Sequence, residues 1–253
     1  MYENIIVKKN SGVGTITLNR PNVLNALNKK MYRELDSALT EMELDSNVKV
    51  ILLTGSGERA FSAGADIKEA ARLASNLDTP PSDPLKIDPN WHIASCIKPT
   101  VGAINGLAYG GAAVIASALD IRIGCERTSF KFLAASYGRI NSTWSLPMQV
   151  GWPIAKELLF TARVVDAKES LNIGLLNRLV DSSELLEEAN KVANQIASND
   201  PRMVQGMKEI MITNVGESWN RMFEKEREAM TGTLEPTPIL EGFKDFLEKK
   251  EWK

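Results

Sequence analysis

The sequence predicts a mixed α/β fold with an α-helical C-terminal region. Up to about residue 132, β-rich runs alternate with segments whose apolar residues have helical spacing, which is typical of an α/β core. Residues 48–54 form a continuous apolar run, as strands of a parallel sheet covered on both faces do. From about residue 147 the pattern is mostly helical. Short helices and closely spaced strands fit a stack of ββα turns at least as well as a doubly wound sheet.

The first elements follow from local signals. Residues 4–18 predict a β-hairpin, because two β-rich runs flank the turn residues 10–12. Asn25 is then placed to cap a helix over about 26–45, in which apolar side chains recur every three or four residues. The apolar run 48–54 predicts the next strand.

The middle of the chain predicts strands that lead through small-residue turns into helices. Residues 59–68 predict a loop entering a helix, and the Pro- and Asp-rich residues 76–90 predict a long mobile loop or insertion. The further predicted strands cover 99–104, 121–125 and 129–132. The further predicted helices cover 91–97, 111–118, 148–160, 167–172, 182–198, 201–213, 216–230 and 237–250. We expect residues 1–195 to form the core and 196–253 a C-terminal helical region.

The composition limits the possible functions. Of the 253 residues, 43% are hydrophobic and 25% charged, so the chain can bury a large core and is not disordered. Lys and Arg number 30 against 32 Asp and Glu, without a block of like charge, so we expect no nucleic-acid partner. No run of 18 apolar residues and no secretory signal pattern is present, so we expect a cytoplasmic protein that does not span a membrane.

Metal and disulfide chemistry have little support. Cys96 and Cys125 lie in separate apolar runs and form no CxxC pair, so a zinc ribbon or a disulfide scaffold is not expected. The single histidine, His92, cannot build a multi-histidine metal site. We therefore predict no metal centre.

Two turns with small residues stand where helices begin, at 62–66 and 107–112. Small side chains let a ligand approach the backbone, and the first N–H groups of a helix have no internal partner. Two such N–H groups facing one oxygen would form an oxyanion hole, strengthened by the helix dipole. The alternative is close helix–sheet packing, which also requires small residues. Asp66 adjoins the first turn, where an ordinary role is helix capping.

Taken together, these segments resemble the enoyl-CoA hydratase/isomerase (crotonase) superfamily nearly end to end. The motifs that carry the resemblance are Leu18-Asn19-Arg20-Pro21 with Asn25-Ala26-Leu27, the run FSAGADIK at 61–68, Lys98-Pro99 through Asn105-Gly106, Tyr109-Gly110-Gly111, Asp120-Ile121, and 167–175. In this order and spacing they are specific. The resemblance implies a crotonase-like spiral of ββα units with a C-terminal helical trimerisation region, assembled as a homotrimer or a dimer of trimers.

The resemblance also implies the substrate class, an acyl-CoA thioester. Its carbonyl is held in the family by two backbone N–H groups, which by motif position are those of Ala65 and Gly111. Coenzyme A is then part of the substrate, and no permanently bound cofactor is expected. The residues that the resemblance places along the CoA are Asn22, Val23, Leu24, Ala63, Lys68, Phe246 and Lys249. The last two belong to a tail that often reaches a CoA on a neighbouring subunit.

The match breaks at the acid–base residues. A hydratase of this family uses two glutamates, one three residues beyond the oxyanion glycine and one twenty residues further. This chain has Val114 and Ala134 there, and neither side chain can move a proton. Ordinary two-glutamate hydration is therefore doubtful.

Other polar residues are candidates to replace the glutamates. Tyr137, Arg139 and Asn141 lie near the expected site, and His92 is either a packing residue or a pocket acid–base group. A single base from the loop 73–92 is a further possibility. The reactions left open are an unusual hydration, isomerisation, decarboxylation and C–C hydrolysis. The alternative is a non-catalytic CoA-thioester-binding protein that acts as an oligomer partner or regulator.

Two aromatic residues indicate the size of the acyl group that the protein accepts. Trp91 and Trp144 fall near the expected site, together with Ala- and Leu-rich segments. We therefore predict a bulky or cyclic acyl chain.

Overall fold

The computed structural model describes residues 2–75 and 88–248. The chain forms two compact units, Met1–Asn199 and Asp200–Lys253, whereas the predicted boundary followed residue 195. The strands of the described residues are β1 (Ile5–Asn10), β2 (Val13–Leu18), β3 (Val50–Gly55), β4 (Ala60–Ser62), β5 (Thr100–Ile104), β6 (Leu107–Tyr109), β7 (Ile121–Cys125), β8 (Ser129–Lys131), β9 (Val164–Asp166) and β10 (Arg178–Val180).

The helices are distributed over both units. The first unit contains α1 (Lys29–Leu44), α2 (Ile67–Ser75), α3 (Pro89–Ser95), α4 (Gly111–Ala118), α5 (Leu146–Val150), α6 (Trp152–Thr161), α7 (Ala167–Asn172) and α8 (Leu185–Ala197). The second unit contains α9 (Pro201–Thr213), α10 (Trp219–Thr231), α11 (Ile239–Gly242) and α12 (Lys244–Glu248). Short 3₁₀ turns lie at Pro21–Val23 and Ala135–Tyr137.

The strands form two sheets, ordered β1-β2-β3-β5-β7-β10 and β4-β6-β8-β9. The pairs β1–β2 and β8–β9 are antiparallel, and the other pairs are parallel. Three times the chain passes from the larger sheet to the smaller one, from β3 to β4, β5 to β6 and β7 to β8. Helices α2 and α4 follow the first two passages. The predicted α/β fold with a spiral of ββα units is confirmed, and so is the helical C-terminal region.

The N-terminal hairpin has the register that its turn residues predict. Asn10 pairs with Val13, so the loop between the strands is Ser11 and Gly12. Both have positive φ, +49° and +84°. Two-residue turns with this backbone match the twist of the flanking strands.

The first helix begins later than predicted, because Asn28 caps it and Asn25 does not. Asn28 Oδ1 accepts a hydrogen bond from the Met31 N–H at 2.8 Å, and the helix starts at residue 29. Asn25 is fully buried in a left-handed conformation, and its amide donates to the carbonyls of Ser56 and Ala60, both at 3.0 Å. Asn25 therefore ties neighbouring loops together.

The core lies on both faces of the larger sheet. All six residues of β3 are buried, which confirms the interpretation of its apolar run. One face packs against α1 and α4, and the other is covered by α8. The predicted helix 148–160 is two helices, because Gly151 has φ +78° and interrupts them. The predicted helix 237–250 is likewise divided into α11 and α12.

The second unit has its own close contact. Gly206 on α9 lies so near the Leu234 side chain that a Cβ there would overlap it.

The second unit also carries large apolar side chains that are at least half exposed. They are Met207, Met211, Val215, Trp219, Phe223, Ile239, Leu240, Phe243, Phe246 and Leu247. Among the described residues, no helix has the length and apolar character needed to cross a bilayer.

Candidate active site

The two small-residue turns lie side by side at the start of α4. Gly64 has φ +86°, and a Cβ there would lie 3.0 Å from the Gly111 nitrogen and overlap the Tyr109 carbonyl oxygen. A Cβ on Gly111 would lie 3.8 Å from the Ala65 nitrogen. Glycine at residue 64 is therefore required both by its left-handed backbone and by this close approach.

The N–H groups of Ala65 and Gly111 are left available by the surrounding backbone. Leu27 donates to the Gly64 carbonyl at 2.8 Å, and Asp66 donates to the Leu27 carbonyl at 3.0 Å. This parallel bridge uses the neighbours of Ala65, so the Ala65 N–H faces the other side. Gly111 is the first residue of α4, where N–H groups have no intrahelical partner. Two such donors can polarise one carbonyl oxygen.

Asp66 supports the first turn, and both of its carboxylate oxygens already accept hydrogen bonds within the protein. Its Oδ2 accepts from the Arg20 guanidinium at 2.9 Å, and its Oδ1 accepts from the Glu69 N–H at 3.2 Å. The hydrogen bond from Arg20 lowers the pKa of the Asp66 carboxyl, so it stays ionised. The interpretation of Asp66 as a helix cap is confirmed.

Two of the predicted CoA segments, 22–24 and Ala63, meet beside this turn. The Ala63 N–H donates to the Leu24 carbonyl at 2.9 Å, which joins the 22–24 segment to the oxyanion turn. Asn22, Val23 and Lys68 are exposed. Phe246 lies in α12 of the second unit, half exposed, with its ring edge-on to Phe243. Lys249 lies outside the described residues.

A cavity of about 470 Å³ lies beside α4. Its lining residues are Asp88, Asn90, Trp91, Val114, Ile140, Asn141, Ser142, Thr143 and Trp144. Val114 stands one helical turn beyond Gly111, so the cavity adjoins the proposed oxyanion donors along α4. The Trp91 and Trp144 rings meet edge-to-face, with centroids 5.7 Å apart, and form an aromatic wall.

The carboxylate in this cavity belongs to Asp88, which the sequence did not single out. Asp88 caps α3, and its Oδ1 accepts from both the backbone N–H and the side-chain amide of Asn90, at 2.8 and 2.7 Å. The Asp-Pro pair signals the start of a helix, but nothing local indicates that its carboxylate lines a cavity. Asp88 falls within the segment 73–92 from which a single base was considered.

Tyr32 is a second residue that sequence reasoning missed. Its hydroxyl would lie 3.0 Å from a Cβ on Gly111, so it stands at the edge of the oxyanion turn. Burial raises the pKa of Tyr32 to about 12, and the charge of Asp88 adds to the effect. The phenol is therefore a protonated hydrogen-bond donor at neutral pH. No sequence signal marks this position, because a tyrosine next to Met31 in a helix with regular apolar spacing is typical of a packing residue.

His92 does not fit the role of a pocket acid–base group. It is buried, it is not among the cavity-lining residues, and both ring nitrogens face carboxylates. Nδ1 lies 2.6 Å from Asp36 and Nε2 lies 2.9 Å from Glu43. The hydrogen bond to Glu43 raises the His92 pKa, Asp36 contributes further, and burial acts in the opposite direction. His92 therefore links α3 to α1.

The other polar candidates separate into two groups. Asn141 lines the cavity, as the sequence suggested. Tyr137 and Arg139 are exposed and are not among its lining residues. Tyr137 ends the 3₁₀ turn Ala135–Tyr137, and Arg139 follows two residues later, where its N–H donates to the Ala134 carbonyl at 2.9 Å.

Comparison with known proteins gives consistent matches. The family model described as Enoyl-CoA hydratase/isomerase matches residues 8–253. The short-chain-enoyl-CoA hydratase of Clostridium acetobutylicum is 35% identical, over 96% of this chain and 98% of that protein. The crotonyl-CoA hydratase of Syntrophomonas wolfei is 33% identical, over 99% and 97%. The crystal structure of an enoyl-CoA hydratase from Bacillus anthracis superposes with a TM-score of 0.87 at 32% identity, covering 98% and 97%.

Proposed function

This chain belongs to the enoyl-CoA hydratase/isomerase family of acyl-CoA enzymes, and from that premise we propose that it isomerises a double bond in an acyl-CoA thioester. In this proposal the Ala65 and Gly111 N–H groups hold the thioester oxygen, and Asp88 moves the proton. The observation that carries it is the Asp88 carboxylate, the one carboxylate that the described residues contribute to the cavity beside α4. Family membership confirms the resemblance to the crotonase superfamily.

The composition of the cavity favours isomerisation over the other reactions. Val114 occupies the position of the first hydratase glutamate, so the pair that orients a water molecule is missing. A decarboxylase must hold a second carboxylate, but the described lining contains Asp88 and neither Lys nor Arg. Isomerisation requires one base that removes a proton and returns it to another carbon.

The mechanism follows from these positions. The two N–H groups polarise the thioester carbonyl and make the adjacent C–H bond more acidic. Asp88 accepts the proton, and the C–H bonding electrons pass into an enolate whose negative oxygen lies between Ala65 and Gly111. Asp88 then returns the proton two carbons away, and the double bond moves without any co-reactant.

The test is the conversion of 3-enoyl-CoA to 2-enoyl-CoA by purified protein. We expect Asp88→Asn to lower kcat about 10²–10⁴-fold, because the amide cannot accept the proton. The protein should remain folded, since asparagine also caps helices well. Asp181→Asn, at an exposed residue, is the matched control. Equal activity of Asp88→Asn and the wild type would contradict the proposal.

The absence of a hydratase glutamate at Val114 also supports a second candidate, a binding protein without turnover. Chromatography and mass spectrometry of acyl-CoAs incubated with the protein separate the two functions. An isomerase moves the double bond of 3-enoyl-CoA next to the thioester carbonyl, whereas a pure binding protein leaves every thioester unchanged while calorimetry still detects its binding. A gain of water on an enoyl-CoA would instead show hydration by residues other than two glutamates.

The same proposal includes the CoA contacts and the assembly. Asn22, Val23, Leu24, Ala63 and Lys68 would contact the CoA, with Phe246 and Lys249 contributing from the tail. A homotrimer or dimer of trimers is supported by the exposed apolar side chains of the second unit. Sedimentation analysis tests this assembly. We retain the cytoplasm as the proposed location.

A further inference from the structure

Three of the residues that line the cavity each carry a buried polar atom that has no hydrogen-bond partner within residues 2–75 and 88–248. These atoms are Asn90 Oδ1, Asn141 Oδ1 and Ser142 Oγ. Ser142 is 0% exposed, so ordinary solvent contact does not satisfy its hydroxyl. Unsatisfied buried polar groups are uncommon and destabilising, so three around one cavity indicate a ligand with a complementary polar group.

The orientation of Asn90 defines the polarity of that group. Its side-chain amide nitrogen donates to Asp88 Oδ1 at 2.7 Å, which leaves the amide oxygen as the unsatisfied atom. This oxygen can only accept a hydrogen bond. Asp88 adds a carboxylate to the same wall, so an anionic group would be repelled. The complementary group is therefore a neutral donor.

The backbone at Ser142 supports a built site. Ser142 has φ +56°, a conformation that non-glycine residues seldom adopt, and its carbonyl accepts from the Leu146 N–H at 3.0 Å. Uncommon backbone conformations persist where the surrounding structure holds them, often around ligands. Here the conformation belongs to a buried serine on the wall that also carries Asn141 and Trp144.

We propose that the acyl group is a ring that carries a hydroxyl group. The hydroxyl donates its one proton to the amide oxygen of Asn90 or Asn141 and accepts a hydrogen bond from the Ser142 hydroxyl, and the ring packs against Trp91 and Trp144. This inference rests on the proposed function, because it assumes that the cavity receives the acyl part of a CoA thioester. It adds the substrate class, a hydroxylated cyclic acyl-CoA.

The inference is tested by binding, with esters that the enzyme cannot isomerise. Calorimetry would compare cyclohexanecarbonyl-CoA with its 2-, 3- and 4-hydroxy derivatives on the full-length protein. We expect at least one hydroxy ester to bind about tenfold more tightly or better, since the unsubstituted ester leaves the acceptors buried and unpaired. Equal or weaker binding of all hydroxy esters would overturn the inference.

Two variants assign the preference to particular atoms. Ser142→Ala and Asn141→Leu each remove one polar group. Each variant should bring the ratio of the affinities for the hydroxy ester and the unsubstituted ester toward one. Ser136→Ala, at an exposed serine outside the cavity lining, is the matched control and should retain the preference for the hydroxy ester. Asn141→Leu provides a second test if Ser142→Ala does not fold. An unchanged preference in both variants would also overturn the inference.

The outcomes separate this inference from the proposed function. If 3-enoyl-CoA is isomerised but the hydroxy esters have no advantage, the substrate class is wrong and the reaction stands. If the hydroxy ester is preferred but 3-enoyl-CoA is not isomerised, the reaction is wrong and the substrate class stands. If every ester and also free CoA bind only weakly, both the inferred substrate class and the proposed function are contradicted.

Discussion

The small-residue turns at 62–66 and 107–112 and the cavity wall at 88–91 and 140–144 belong to one candidate site but are constructed differently. In the proposed function the turns act through backbone N–H groups, which are positioned by a glycine at residue 64 and by the bridge between Leu27 and Ala65. The wall acts through side chains, which include Asp88. The turns contain motifs that carry the resemblance to the family, and the wall does not. Under the proposed function, the backbone keeps enolate stabilisation while the side chains determine the reaction.

Within the turns, the largest effect should come from removing one backbone donor. Gly111→Pro deletes the N–H, and proline is tolerated at the first residue of a helix. We expect kcat/KM for the acyl-CoA substrate to fall about 10²–10³-fold. Gly111→Ala is the control, because it keeps the N–H while adding a Cβ near the Tyr32 hydroxyl. An equal loss in both variants would attribute the effect to crowding and reject the oxyanion assignment.

A smaller effect should appear in the pH dependence of stability. It arises from His92 in α3, the helix that is capped by the cavity residue Asp88. Because the folded-state pKa of His92 is raised, the folded protein binds this proton more tightly than the unfolded chain does. The stabilisation is complete below the ordinary histidine pKa of about 6.5 and is lost as the pH rises through the raised value. We expect Tm to decrease over that interval in the wild type.

His92→Gln is the control for this pH dependence, because it removes the titrating group from between Asp36 and Glu43. Its Tm should follow pH less steeply over the same interval. A wild-type Tm that rises with pH there, or an unchanged slope in the variant, would show that the ion pairs of His92 do not anchor α3.

The smallest effect is expected at Val114, which lines the cavity with a methyl-bearing side chain. Val114→Ala should change kcat/KM by less than about threefold, because valine has no proton to transfer and the lost contact is small. A loss comparable to that of Gly111→Pro would mean that the position has a function that its side-chain chemistry does not explain.

The sequence predicted the turns better than the wall for a physical reason. Glycines and short polar residues adopt turn conformations that other residues avoid, so the hairpin and the small-residue turn at residue 64 could be found from single segments. Asp88 and Tyr32 become part of the site through contacts between distant segments, which periodicity does not encode. The cap at Asn28 was missed because Asn25 and Asn28 carry the same local signal.

Short elements were also hard to predict. The strands β4, β9 and β10 have three residues each, too few for an alternating pattern to be recognised. Gly151 divides a continuous helical pattern into α5 and α6, although isolated glycines are often tolerated in helices. Such features depend on where the neighbouring chain lies.

The backbone origin of the oxyanion donors has a practical consequence for protein engineering. A library that randomises the side chains at 88–91 and 140–144 would leave Ala65 and Gly111 unaltered, so every folded member would keep the two backbone donors of the proposed function. Directed evolution could then exchange one enolate reaction for another without having to recreate the most demanding part of the catalyst.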